Sequence, residues 1–227
     1  VSCEVEVDVR NIFPGHPPKP LGHTNSGASE ILPSDLDPYG NCQWTEKWDE
    51  HRVILYNGLA FSRVGDVYSK LPDTYTSEVA KYLEKCFKVH EYFIFDVGFM
   101  SHGPMKGTCF LYDIPQHKGE FRERNKVMRA CEESFNTTII GGWFDPEIWI
   151  EKGYPYEEDA TIKGQVVLPV SADDMDMTPD ELYYNCKSRS HLDQLEGVVG
   201  KPWNHVYEWS RTEKIAKERG WLKCRHK

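Results

Sequence analysis

Nowhere in this sequence do ~18 apolar residues run together, the length a membrane-crossing helix needs. The first residues hold no basic stretch leading into an apolar run, so neither a secretory signal nor a membrane partner is expected. The seven cysteines, Cys3, Cys42, Cys86, Cys109, Cys131, Cys186 and Cys224, include no CxxC pair. An odd number at wide spacing excludes a zinc ribbon and a compact disulfide framework. Reduced thiols in an intracellular compartment, cytoplasmic or nuclear, are expected instead, and the Asn136-Thr137-Thr138 sequon is then chance. The nine histidines show no paired spacing for a zinc site. Internal repeats and low-complexity tracts are absent as well.

A surplus of positive charge is also missing. Lys and Arg number 27 against 36 Asp and Glu, a formal net charge of −9 over 227 residues. The imbalance is uneven, however: residues 1–50 carry nine acids and three bases, and residues 196–227 four acids and eight bases. A basic end on an acidic chain can present a local electropositive face, although a solvated charged helix has the same composition.

Aromatic residues make up 13% of the chain and apolar residues 39%, enough for a packed core. Residues 1–43 read as a loop-rich arm, with Pro14-Gly15, Pro17-Pro18 and Asp37-Pro38-Tyr39-Gly40 in its turns and one short strand where Val5, Val7 and Val9 alternate with charged residues. From Trp44 onward the segments become periodic, so residues 44–227 are expected to form one domain. Arg52–Tyr56 and Leu59–Arg63 flank Asn57-Gly58, a strong hairpin signal. Helical spacing covers Ser77–His90 and Glu120–Phe135. Buried strands are expected over Tyr92–Phe99, Thr108–Ile114 and Ile162–Val170, with a turn at Gly103-Pro104. Thr178-Pro179-Asp180-Glu181 is a capping box with Pro in the first turn and opens a helix to about Leu195. A strand over Glu196–Gly200, a polar helix over Arg211–Arg219 and a strand over Trp221–Arg225 complete an α+β chain, with antiparallel sheets flanked by helices.

Three short segments carry chemistry-bearing side chains. Lys47-Trp48-Asp49-Glu50-His51-Arg52 leads into the hairpin, and a lysine fixed there is a candidate amine nucleophile. Taken alone, it is an ordinary surface lysine. In Glu196-Gly197-Val198-Val199-Gly200-Lys201 an acid and a lysine flank a strand. Period-two alternation sets Glu196 and Lys201 on opposite faces, so their convergence requires a bend, expected at Gly200. Lys223 and Arg225 alternate with Leu222 and Cys224, lining one strand face with two cations.

In this order the three segments resemble the motifs of the covalent nucleotidyltransferases: ATP-dependent DNA ligases, RNA ligases and mRNA-capping guanylyltransferases. In that superfamily motif I is K-x-D-G-x-R, motif IV is E-G-x-V-x-K and motif V is a K-x-K strand. Residues Trp44 to Arg225, about four-fifths of the chain, are covered. Phe61-Ser62-Arg63-Val64-Gly65 is similar to the S-R-x-G element, and Phe110–Ile114 to motif IIIa, whose aromatic residue stacks on the purine; Tyr112 matches that position. The wording of motif IV leans toward DNA ligases, whereas Thr45-Glu46-Lys47 occurs in the style of RNA ligases.

The resemblance implies a nucleotidyltransferase (adenylation) domain of a polynucleotide ligase, acting in DNA repair or replication, as a monomer and with a viral source open. Lys47 would attack the α-phosphate of ATP to form lysyl-AMP. AMP would then pass to a 5′-phosphate, and a 3′-OH would seal the strand of nicked duplex DNA or of RNA. It assigns Lys47, Asp49, Lys201 and Lys223 to catalysis, and Glu46, Arg52, Arg63, Tyr112, Glu196, Lys201, Lys223 and Arg225 to nucleotide binding. Mg²⁺ would be held by Asp96 and Glu196. RNA ligase or guanylyltransferase activity, and a module that binds nucleotide or nucleic acid without the chemistry, are the alternatives. Two departures stand out. The motif I glycine is Glu50, and motif III, D-G-E in the superfamily, reads Ile94-Phe95-Asp96-Val97-Gly98, so either Asp96 or Gly98 occupies the acid's place. No C-terminal OB-fold is expected in this chain.

Overall fold

The structure, a computed structural model, describes residues 16–24, 30–71, 73–89, 93–101, 105–132, 135, 165–212, 214 and 220–226. Among the described residues, nine strands fall in two sheets. Strands β1 (Leu21–Thr24), β2 (Cys42–Trp48), β8 (Leu195–Pro202) and β9 (Leu222–Arg225) form a four-stranded sheet in the order β1-β9-β8-β2. Strands β3 (His51–Tyr56), β4 (Leu59–Phe61), β5 (Phe95–Phe99), β6 (Thr108–Asp113) and β7 (Gln165–Val167) form a five-stranded sheet in the order β4-β3-β5-β6-β7. Among the described residues four α-helices accompany them: α1 (Pro33–Leu36), α2 (Asp73–Phe87), α3 (Phe121–Ala130) and α4 (Pro179–Asp193).

The architecture is α+β, and both sheets are mixed rather than antiparallel. β1 runs parallel to β9, and β7 parallel to β6. Each parallel pair is joined by a long crossover, which parallel pairing requires; alternation within one strand does not reveal such a partner. β1 also lies inside the segment read as a loop-rich arm. Its Gly22 pairs with Lys223 so closely that a Cβ there would lie 2.0 Å from the Lys223 carbonyl oxygen. The glycine that reads as a loop residue is what lets the two backbones meet.

Local signals account for most other elements. Asn57 and Gly58 both take positive φ, 49° and 76°, as a two-residue hairpin turn demands. Thr178 caps α4: its hydroxyl accepts from the Glu181 N–H at 3.3 Å, while the Glu181 carboxylate accepts from the Thr178 N–H at 2.7 Å. α2 starts at Asp73, before the expected Ser77, and α3 stops at Ala130. The expected strand at Val5–Val9, the Gly103-Pro104 turn, the sequon and all of the expected Arg211–Arg219 helix except Arg211, Thr212 and Lys214 lie outside the described residues.

Apolar burial sorts into two main cores. Val53, Leu55, Phe95, Val97 and Leu111 of the five-stranded sheet pack on Val79 and Leu83 of α2 and on Phe121 and Met128 of α3. Trp44, Trp48, Val198 and Cys224 of the four-stranded sheet pack on Leu182, Tyr183 and Cys186 of α4. The Trp48 ring stacks on Phe110 of β6 at 5.4 Å, tying the two sheets together. Only Asp49 and Glu50 separate β2 from β3, so the chain steps from one sheet to the other at this corner.

Candidate active site

The corner between the sheets opens onto a cavity of about 600 Å³. β2 supplies Glu46 and Lys47, the connection Asp49 and Glu50, and β3 His51 and Arg52. Arg63 comes from the turn after β4, Tyr112 from β6, Glu196 and Lys201 from β8, and Lys223 and Arg225 from β9. Seven cations (Lys19, Lys47, Arg52, Arg63, Lys201, Lys223, Arg225) line it against four acids (Glu46, Asp49, Glu50, Glu196). A net-negative protein thus holds a cavity with positive excess, and aromatic walls at Tyr68, Tyr112 and Trp221. Polyanions with a flat ring are the ligands such a lining suits.

The convergence of Glu196 and Lys201 has a specific backbone cause. β2 and β8 pair Lys47 with Gly197 and Trp48 with Leu195, so Glu196 is an extra residue on β8, a bulge. Gly197 takes φ 143°, and a Cβ on it would lie 2.1 Å from the Cys224 carbonyl oxygen. The bend therefore falls at Gly197 and not at the expected Gly200, whose missing side chain makes room instead for the Trp44 indole. Val199 and Lys201 line the cavity, Val198 enters the core, and the bulge turns Glu196 back to the cavity side.

Glu196 binds two cations. Its Oε2 accepts from Lys47 Nζ, and its Oε1 accepts from Arg225 Nη2 at 2.5 Å. Lys47 also donates to the Trp48 carbonyl at 3.4 Å. Glu46, nearly fully buried, is paired with Arg189 of α4 at 3.0 Å. Lys201 is buried, donates to the Tyr112 carbonyl and faces the Trp221 ring at 4.3 Å and the Phe121 ring at 5.0 Å. Burial pulls its pKa down to about 8, against the opposing pull of Asp113 and Asp96.

Asp96 departs from expectation. It is fully buried and its carboxylate is taken by a two-pronged Arg52 contact, Nε to Oδ1 at 2.9 Å and Nη2 to Oδ2 at 2.5 Å, with the Tyr207 hydroxyl donating to Oδ2 at 2.8 Å. It does not line the cavity. The register explains this: Asp96 pairs with Ile54 across β3 and β5, whereas Gly98 pairs with Arg52 at the cavity end. Asp96 thus orients Arg52, whose guanidinium also lies 4.4 Å from the Trp221 ring and donates to the Pro18 carbonyl at 2.9 Å.

A divalent ion does not fit this donor set as a preformed site. Among the described residues no three His, Cys, Asp or Glu side chains gather to hold one. Asp96 is committed to Arg52, and both oxygens of Glu196 are held by cations. A nucleoside polyphosphate fits better, since cations and rings line the same space.

Glu46, Lys47, Asp49, Arg52, Arg63, Tyr112, Glu196, Lys201, Lys223 and Arg225 therefore meet in one cavity, and Asp96 stands behind it. Lys19, Tyr68 and Trp221 also line it, and Tyr207 supports it through Asp96. The Trp221 ring adjoins motif V and was in view in the sequence. Lys19, set in a proline-rich segment, carried no signal there.

No protein-family profile and no curated protein matches the chain. Solved structures do. A Chlorella virus DNA ligase-adenylate superposes with a TM-score of 0.47 at 16% identity, over 91% of this chain and 68% of that one. A Lig E DNA ligase, described as binding DNA with a minimal scaffold, gives 0.46 at 9% identity over 91% and 68%. The ligase domain of M. tuberculosis LigD gives 0.47 at 15% identity over 92% and 59%.

Proposed function

We propose that this chain is the nucleotide-accepting domain of an ATP-dependent polynucleotide ligase, with nicked duplex DNA as the substrate sealed. The observation that carries the reading is the meeting of Lys47, Arg63, Glu196, Lys201, Lys223 and Arg225, from four separate segments, around one cavity. Chance has little reason to gather lysines and arginines against their mutual repulsion unless an anion is to be bound there.

In this reading the triphosphate lies among Lys201, Lys223, Arg225 and Arg63, with the base on the Tyr112 side. Binding draws Arg225 toward phosphate and loosens its hold on Glu196. Lys47 gives a proton to the Glu196 carboxylate, and its neutral amine attacks the α-phosphorus. A P–N bond forms as the P–O bond to pyrophosphate breaks, the second amine proton passes to solvent, and pyrophosphate departs with the bonding pair. Lys201 and Lys223 stabilise the charge that gathers on the phosphate oxygens. AMP then moves from Lys47 to a 5′-phosphate, and a 3′-OH displaces it. Asp49 and Arg52 orient the nucleotide and the 5′-phosphate. No step is assigned to Mg²⁺, because among the described residues no three metal-ligating side chains gather to hold it.

Intact-protein mass after incubation with ATP and a divalent salt tests this. The expected outcome is a gain of one AMP in the wild type and none in Lys47→Ala, whose far-UV spectrum is unchanged. A GMP gain with GTP would move the reading to a capping-type enzyme. A specific observation favours a second reading, a module that binds without reacting: Glu50 and Gly98 depart from motifs I and III, and Asp96 is sequestered. ATP binding without any adduct, and no sealing of pre-adenylated nicked DNA, would select it. Comparing nicked DNA with nicked RNA assigns the strand.

A further inference from the structure

The connection between β2 and β3 carries a side chain that the proposed reaction leaves unused. Glu50 lines the cavity. Its stem fills a space belonging to the neighbouring strand: a Cβ on Gly98 of β5 would lie 2.4 Å from Glu50 Cγ, with Tyr112 Cε2 next at 2.7 Å and the Tyr112 hydroxyl at 2.8 Å. A side chain at position 98 and the side chain of Glu50 are thus mutually exclusive. The carboxyl that a motif III acid at position 98 would bring to this space arrives here from the β2–β3 corner.

Glu50 also differs from the other cavity acids in its partners. Glu196 is bound by Lys47 and Arg225, and Glu46 by Arg189. Glu50 Oε2 is buried with no hydrogen-bond partner. A buried acceptor without a donor is costly unless a ligand completes it. Ionised phosphate cannot complete the carboxylate, since it brings only acceptors and negative charge. The donors of a nucleotide lie on its uncharged half, in the sugar hydroxyls and the base amino group.

We propose that Glu50 is a specificity-determining residue of this cavity, whose carboxyl oxygen accepts a hydrogen bond from the nucleoside half of the substrate beside Tyr112. This rests on the cavity being a nucleotide site, as argued above, but not on adduct formation. The division of labour is physical: the lysines and arginines hold the phosphates by charge, and Glu50 reads what the phosphates are attached to.

Calorimetric titration of the full chain tests it, with wild type, Glu50→Ala and Glu50→Gln each titrated against ATP and against inorganic tripolyphosphate. Glu50→Ala is expected to weaken ATP about tenfold, the usual loss when a buried acceptor is removed, and to leave tripolyphosphate unchanged or slightly tighter. Glu50→Gln, which keeps one acceptor oxygen, loses only a few-fold. In the wild type, 2′-deoxy-ATP, 3′-deoxy-ATP and purine riboside triphosphate identify the donor: the analogue that lacks it binds wild type and Glu50→Ala alike. Equal losses for ATP and tripolyphosphate, or no loss for either, would overturn the assignment. If Glu50→Ala does not fold, Glu50→Gln decides by the same comparison. Wild type that binds ATP yet forms no lysyl adduct would defeat the ligase chemistry and leave Glu50 standing. An adduct in the wild type with both variants binding ATP normally would do the reverse.

Discussion

Arg124 and Asp113 show how much a single side chain can matter away from the cavity. Both are fully buried, joined by Nε to Oδ1 at 2.6 Å and Nη2 to Oδ2 at 3.1 Å, and Arg124 donates again to the Gly119 carbonyl at 2.6 Å. Removing one member strands the other charge without water, so Arg124→Ala should cost about 3–5 kcal/mol in urea unfolding. A loss under about 1 kcal/mol, as at an exposed pair, would show the pair to be solvated. At the cavity, Gly98→Ala should destabilise the protein, because its new methyl meets Glu50 and Tyr112. In a Glu50→Gly background part of that cost should vanish, a coupling that a double-mutant cycle measures directly. Additive costs would mean that Tyr112 alone restricts the site.

At the scale of elements, β8 holds the site in shape. Its bulge at Glu196 and the positive φ of Gly197 are two parts of one device, since a strand of strict alternation would send Glu196 into the α4 core. Gly197→Ala should therefore separate β8 from β9 locally, lowering stability by more than the ~1 kcal/mol of an ordinary glycine replacement and detaching Glu196 from Lys47. Thermal unfolding beside an adenylation assay reads both effects; an active, equally stable variant would dismiss the device. The α4 cap is a milder case. Thr178→Ala removes an acceptor for the Glu181 N–H and should cost about 1 kcal/mol. Motif order was legible in the sequence at this scale, as were the hairpin and the capped helix, because each rests on residues close in the chain. The bulge was not: it exists only in the pairing of Lys47 with Gly197, residues 150 positions apart. For the same reason the pairing of Asp96 with Arg52 was not legible, since that contact and the burial of Asp96 come from register with β3.

For the molecule as a whole, the cavity trades stability for charge. Lys201 is held among rings with its pKa drawn down to about 8 by burial. Between that value and the ~10.4 of a free lysine, the unfolded chain binds more protons than the folded one, so this group makes stability rise with pH. Below about pH 8 its cost is present in full. The stability of Lys201→Met relative to wild type should consequently be flat up to about pH 7 and decline from about pH 8 to 10.5, with equilibrium unfolding at several pH values as the measure. A difference independent of pH would mean that Lys201 is solvated. Saturating ATP should raise wild-type stability by about 2.7 kcal/mol at a hundredfold excess over Kd.

The sequence by itself determined the α+β class, most of the strands and helices, and an ordered set of cations and acids resembling nucleotidyltransferase motifs, because these depend on neighbours within a few residues. Tertiary structure decided how those residues stand together. Only the pairing of distant strands could set β1 beside β9 and bring Lys19 to the cavity, turn Glu196 inward through Gly197, withdraw Asp96 behind Arg52, and set Glu50 in the space above Gly98. Each of those outcomes depends on register between segments far apart in the chain, and register is fixed by which faces the whole molecule can bury.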